Sequence, residues 1–199
     1  MSKKALAALV CGLWIVSASA GMYLLLKFET DAGPGGKTPT EWPVQSRIAL
    51  DPRRFTLVLF AHPQCPCTRA SIENLNHLLA RCGNDVATYV DFVQPANESD
   101  TWLQTDRWKA ATALPGVTVR TDQDGAEARR FGAETSGYVV LFNPQGKLLF
   151  AGGITSSRGH QGDTAGEDSI LADLKGQPSS INQTPVYGCL LTTCSQRTE

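Results

Sequence analysis

The stretch FTLVLFAHPQCPCTRASIENLNHLLARC, residues 55–82, decides the fold. Phe55 to Ala61 is an unbroken apolar run of strand length, the pattern of a strand buried on both faces. After the loop His62–Cys67, residues Ala70, Ile72, Leu75, Leu78, Leu79 and Cys82 recur near helical spacing, with Thr68 expected as the N-cap. The pair Cys65 and Cys67 therefore sits where a central strand hands over to a helix. A thiol at that junction meets backbone N–H groups with no helical partner and the positive end of the helix dipole. Both stabilise the thiolate, which is the attacking form. Arg69 adds positive charge beside the pair, while Pro66 restrains the loop and removes one backbone donor.

Further along the chain, Ala87 to Val93 reads as a second strand and Asp100 to Leu114 as a helix carrying Trp102 and Trp108. Gly116 to Arg120 is a short strand, and Gln123 to Phe131 a helix entered through Asp122 or Asp124. Tyr138 to Phe142 and Lys147 to Ala151 form a hairpin around the turn Asn143-Pro144-Gln145-Gly146. A final helix is expected over Asp163 to Lys175, with Asp163 capping it. The order is then β, α, β, α, β, α, a hairpin and α.

Backwards from residue 55, residues 28–48 are rich in Gly, Pro and Thr, and read as a linker with little to bury. Before it, residues 5–26 carry no charge and match the roughly 20 residues a helix needs to cross a bilayer. A cleavable signal peptide is the competing reading, since Ser17 to Ala20 resemble a cleavage site. The apolar run continues past that site, which favours an uncleaved anchor over residues 1–27. Lys3 and Lys4 stay on the cytoplasmic side, so the rest of the chain lies outside it: a single-pass protein of a bacterial inner membrane, its C-terminal domain in the periplasm. The domain itself is expected over residues 49–176, with residues 177–199 a tail holding Cys189 and Cys194. Hydrophobic residues at 42% and charged residues at 19% are globular values, and a formal net charge of -1 offers no basic surface for phosphates. Nucleic acid is not expected as a partner.

The strand, cysteine loop and helix, with the later phrase VRTDQDGAEARRFGAETSGYVVLFNPQGKLLFAGGI, resemble the thioredoxin-like superfamily over about residues 49–175. The resemblance implies an α/β thioredoxin-like fold, a mixed central sheet flanked by helices, here with an N-terminal transmembrane helix. Laid on the family's Trp-Cys-Gly-Pro-Cys pattern, Cys65 falls on the nucleophile, Thr68 on the second cysteine and Cys67 on the proline. That departs from C-x-x-C. At Ser136-Gly137-Tyr138 the family has Thr and a cis-proline facing the cysteines, so Gly137 is a second departure.

Three readings of Cys65 and Cys67 compete. As a redox pair they would close a small, strained and easily reduced ring. As a metal site, joined by His62 or His160, they would suit copper or zinc, as in thioredoxin-like copper chaperones. As inert cysteines they would have no role, which an oxidising compartment disfavours. The redox reading leads, and no cofactor is expected under it; copper on Cys65, Cys67 and His160 is the alternative.

The loop GGITSSRGHQGD, residues 152–163, follows the hairpin strand that returns to the cysteine end, and so should overhang the site. Arg158 would lower a cysteine pKa or bind an anion, and His160 would serve as acid, base or ligand. His62, Pro66, Gly137, Arg158 and His160 are thus candidate supporting residues around Cys65, Cys67, Thr68 and Arg69. With TPVYGC in the tail, HPQCPCTRAS and SGYVVLFNPQGKLLFAGGITSSRGHQGD resemble the bacterial RedB thioredoxin-like proteins. The resemblance gives Cys189 a place as resolving thiol or as partner of Cys194. The expected function is a membrane-tethered thiol:disulfide oxidoreductase, Cys65 attacking and Cys67 resolving, with protein thiols and a redox partner as its partners. Copper delivery is the alternative, and thiol peroxidase activity a weaker third, since the peroxiredoxin Pro/Thr/Cys arrangement is absent.

Overall fold

A computed structural model describes residues 2–83, 85–177, 179 and 181–192. It divides into two units, Met1–Asp31 and Ala32–Glu199. The first is one helix, α1 (Lys3–Thr30), opened by Ser2, whose hydroxyl accepts from the Ala5 N–H at 3.2 Å. It is apolar all round and buries none of its residues, and it is long enough to cross a membrane.

In the second unit β1 (Phe55–Ala61) is the middle strand of a five-stranded sheet ordered β3-β2-β1-β4-β5. Its apolar run is the reason: every residue from Thr56 to Ala61 is buried, which only a strand covered on both faces tolerates. β2 (Val86–Gln94) and β3 (Val117–Gln123) extend the sheet in parallel on one side. β4 (Tyr138–Phe142) and β5 (Leu148–Gly153) pair antiparallel on the other. This mixed sheet with helices packed on it is a thioredoxin-like fold. α2 (Thr68–Cys82), α3 (Asp106–Thr112) and α5 (Ala165–Leu174) bury Ile72, Leu75, Leu78, Ala111, Ile170 and Leu171 together with Leu57, Leu59, Phe92, Val139 and Leu141 of the strands.

The opposite face, built on Val58, Phe60, Tyr138, Val140 and Phe142, is covered by the short helix α4 (Ala126–Arg130) with Phe131, by Val186 and Leu191 of the tail, and by part of the stretch expected to be a linker. Trp42 packs edge-on to Phe131 and Phe142, with ring centroids 5.0 and 5.1 Å apart, and Ile48 is buried. Ser46 donates to the Glu127 carboxylate at 2.6 Å, and Thr38 and Tyr138 share a hydroxyl bond at 2.8 Å. Residues 33–48 therefore belong to the domain, because an uncovered apolar sheet face needs them.

Three other boundaries differ from the sequence reading. The expected helix over Asp100 to Leu114 is a 3₁₀ turn, Asp100–Leu103, followed by α3. Thr105 breaks it by adopting extended backbone and capping α3 through the Trp108 N–H at 3.3 Å. Gln123 belongs to β3, and α4 starts only after Asp124 and Gly125 take positive φ (55° and 69°). The Asp122 carboxylate then accepts from the N–H groups of Glu127 and Ala128 at 2.8 and 2.9 Å, so Asp122 does set the helix start. α5 is capped by Thr164, not Asp163, through the Glu167 N–H at 3.2 Å.

Candidate active site

The turn after β1 is pinned by a residue from the far side of the sheet. Ser136, just ahead of β4, accepts from the His62 N–H at 2.8 Å and shares a 2.8 Å hydroxyl bond with Thr68. Thr68 also donates to the His62 carbonyl at 3.1 Å. The next residue, Gly137, sits at φ 93° with its N–H on the Phe60 carbonyl, and a Cβ there would stand 2.8 Å from the Ser71 hydroxyl. Gly137 thus fills its place by close approach and positive φ. Thr68 is not the N-cap: α2 begins at Thr68, and Cys67 precedes it in helical conformation with no side-chain cap. Thr68 is fully buried and holds the turn.

The chain's tail returns across this turn. Ala151 donates to the Asn182 carbonyl and Thr184 to that of Gly153, leading the tail along β5. Residues 186–191 then form a strap. The Gly33 N–H bonds the Val186 carbonyl (2.8 Å), the Ser136 N–H bonds that of Cys189 (2.8 Å), and the Leu191 N–H bonds that of Glu134 (2.9 Å). At the centre the Cys189 N–H points at the Cys65 sulfur, 3.4 Å away. Gly188 lies so close to residues 134–136, the ledge on which the strap rests, that a Cβ would stand 2.0 Å from the Ser136 carbonyl oxygen. The Arg158 guanidinium donates to the Gly188 carbonyl. Its loop is moored on α2 by Asn74, which donates to Gly162 and accepts from the Gly162 N–H.

Cys65 therefore has a thiol on either side, that of Cys67 from the turn and that of Cys189 from the strap. Burial alone would raise the Cys65 pKa. Hydrogen bonds from the Cys189 thiol and N–H, and from the N–H groups of Thr68 and Cys67, outweigh it, and the pKa falls below the ordinary thiol value. Its neighbours move the other way. Burial, then the charge on Cys65 and the hydrogen bond to it, push Cys67 up against the pull of Arg158. Desolvation of the Cys189 thiol, then the hydrogen bond and charge at Cys65, push Cys189 up to about 12. The site thus sets the three thiols apart, Cys65 shifted toward easier ionisation and Cys67 and Cys189 away from it.

Of the other candidate residues, Arg158 reaches the thiols and Arg69 does not. Arg69 is exposed in a shallow groove with Glu73, Asp106 and Arg107, so the cation expected from it comes from Arg158. His62 is half-buried, edge-on to Trp102 at 5.5 Å, and its Nδ1 accepts from the Gln64 N–H at 3.2 Å; burial lowers its pKa. His160 is exposed, its Nδ1 turned to the Ser157 hydroxyl and the Arg158 carbonyl. Pro66 is exposed on the turn, its carbonyl accepting from the Arg69 N–H. Among the described residues no three His, Cys, Asp or Glu side chains are grouped to hold a metal ion. Cys194 lies outside the described residues. Ser136, Gly188 and Asn74 shape the site without having been singled out for it; the signal for Gly188 was its place directly before a tail cysteine.

The fold is thioredoxin-like, and its strand-to-helix junction carries a thiol cluster. It is similar in structure to an uncharacterized conserved protein from Geobacillus kaustophilus (TM-score 0.59, 18% identity, covering 83% of this chain and 95% of that one). It is equally similar to a hypothetical protein from Sinorhizobium meliloti 1021 (TM-score 0.59, 18% identity, 82% and 96%). A lower match is StoA from Bacillus subtilis (TM-score 0.46, 14% identity, 73% and 99%). No family model and no curated protein matches the chain. At such identities the likeness of the first two speaks to the fold.

Proposed function

We propose that this chain is a thiol:disulfide oxidoreductase of the RedB-like kind, acting on protein thiols outside the cytoplasm and tethered by α1, with Cys65 as the attacking group. The observation that carries this reading is the aim of the donors. Three backbone N–H groups and a thiol converge on the one sulfur of Cys65, which favours its thiolate, while two protonated thiols stand within reach to complete an exchange. An inert cysteine has no need of such a set. The uncharged stretch 5–26 of α1, preceded by Lys3 and Lys4, supports the tether and the orientation.

The test is the reduction of insulin disulfides by the full chain in detergent, with a small dithiol as electron source. Cys65→Ser abolishes turnover while leaving the thermal unfolding midpoint of the domain within a few degrees. Turnover at the parent rate in Cys65→Ser would refute the reading.

A further inference from the structure

Cys65 is 1% exposed, so a protein disulfide reaches its sulfur only after something moves. What lies on the sulfur is the strap of residues 186–191, and the strap itself carries a thiol. Building on the thiol-exchange reading, we propose that the resolving partner of Cys65 is Cys189, delivered by this strap, which lifts from the sulfur to admit a substrate disulfide and reseats to expel it.

The geometry separates Cys189 from Cys67, although both touch Cys65. Cys67 lies two residues on in the same hydrogen-bonded turn, with φ -67° and ψ -25°. The Thr68 N–H bonds the Cys65 carbonyl (3.2 Å) and the Ala70 N–H that of Cys67 (3.1 Å). A bond between Cys65 and Cys67 has to close inside that turn, against Pro66, in a small ring. Cys67 is moreover engaged by the Arg158 guanidinium. Cys189 arrives from a separate segment, its N–H already on the Cys65 sulfur at 3.4 Å, and a bond to it closes no small ring. Its seat is specific, because only glycine at 188 fits against the Ser136 carbonyl. Arg158 holds the adjoining Gly188 carbonyl, so the strap's seating and the environment of Cys67 share one cation.

The exchange balances. The Cys65 thiolate attacks one sulfur of the substrate disulfide; a Cys65–substrate bond forms, the substrate S–S bond breaks, and the second substrate sulfur leaves as thiolate. When the strap reseats, Cys189 gives up its proton and attacks the Cys65 sulfur. The Cys65–Cys189 bond forms, the bond to substrate breaks, and the released sulfur leaves. Two electrons pass from the Cys65/Cys189 dithiol to the substrate, and the dithiol's two protons end on the two substrate thiols. Desolvation is the largest cause of the raised Cys189 pKa; the hydrogen bond and charge from Cys65 that add to it are gone in the mixed disulfide, and Arg158 still favours ionisation.

Oxidised glutathione is the probe, applied to the full chain in detergent and followed by intact mass and by mapping of the bridged peptides. The parent chain releases glutathione and ends bridged at Cys65–Cys189. Cys189→Ser keeps glutathione on Cys65, releasing it at least about tenfold more slowly than Cys67→Ser does. Gly188→Ala retains every thiol yet also holds glutathione, since a misplacement of about 1 Å costs on the order of a hundredfold. A Cys65–Cys67 bridge in the parent, or retention by Cys67→Ser and prompt release by Cys189→Ser and Gly188→Ala, overturns the assignment and leaves the thiol-exchange reading standing. If glutathione never attaches to Cys65 in any of the chains, the thiol-exchange reading falls with it.

Discussion

Asp91 on β2 is the residue most exposed to pH. Its carboxylate is fully buried, neither oxygen has a hydrogen-bond partner, and the Arg120 Nε stands 3.7 Å away. Burial, then the charge of Asp122, lifts its pKa to about 7, with Arg120 opposing. In the unfolded chain the same group titrates near 3.8. Between those values the fold holds a proton that the unfolded chain has lost. The group's contribution is therefore fully present below about 3.8 and is lost as the pH rises through about 7. Asp91→Asn removes this slope and stabilises the domain at pH 8 by roughly 2–4 kcal/mol, on the order of the shift at 1.36 kcal/mol per unit; urea unfolding at pH 5 and pH 8 checks it, and an unchanged slope would count against it. Nothing in the sequence marked Asp91, which reads as one polar position in a strand. The position of Cys65 and Cys67 was legible because a strand-to-helix junction is a local pattern. Ser136, which pins that junction, comes from the opposite side of the sheet, and no local pattern brings Ser136 to Thr68.

At the level of elements, the strands and α2 were legible because each carries its own periodicity. α2 runs from Thr68 to Cys82 as the spacing requires. What periodicity misses is a side chain that spends its hydrogen bond on the backbone. Thr105 splits an apparently continuous helix, and Thr164 takes the cap expected of Asp163. The misread linker has another cause. Judged by its glycines and prolines, residues 28–48 have nothing to bury, but Trp42 and Ile48 do, and the half-covered sheet face that needs them is visible only once β1 and β4 are paired. Trp42→Ala should destabilise the domain by about 2–4 kcal/mol, somewhat under a full core aromatic because the ring is partly exposed. Chemical denaturation of the two proteins measures the difference, and a loss under about 0.5 kcal/mol, the range of ordinary surface changes, would mean that the segment is not docked.

For the whole molecule, the useful boundary lies at Ala32 and not at residue 49. A chain starting at residue 32 should unfold cooperatively. One starting at residue 49 loses Trp42, Ile48 and the Ser46 bond to Glu127, and should unfold at lower denaturant and bind a hydrophobic dye. Equal midpoints for the two would contradict the packing described. The ledge of residues 134–136 is gripped from both sides of this unit: Thr135 donates to the Pro34 carbonyl, and Glu134 and Ser136 hold the strap. Gly33 and Val186 then join the two grips directly. The segment entering this unit and the strap that returns over Cys65 thus share one ledge and one direct bond, so that freeing the strap should also slacken the point where the polypeptide first joins the domain.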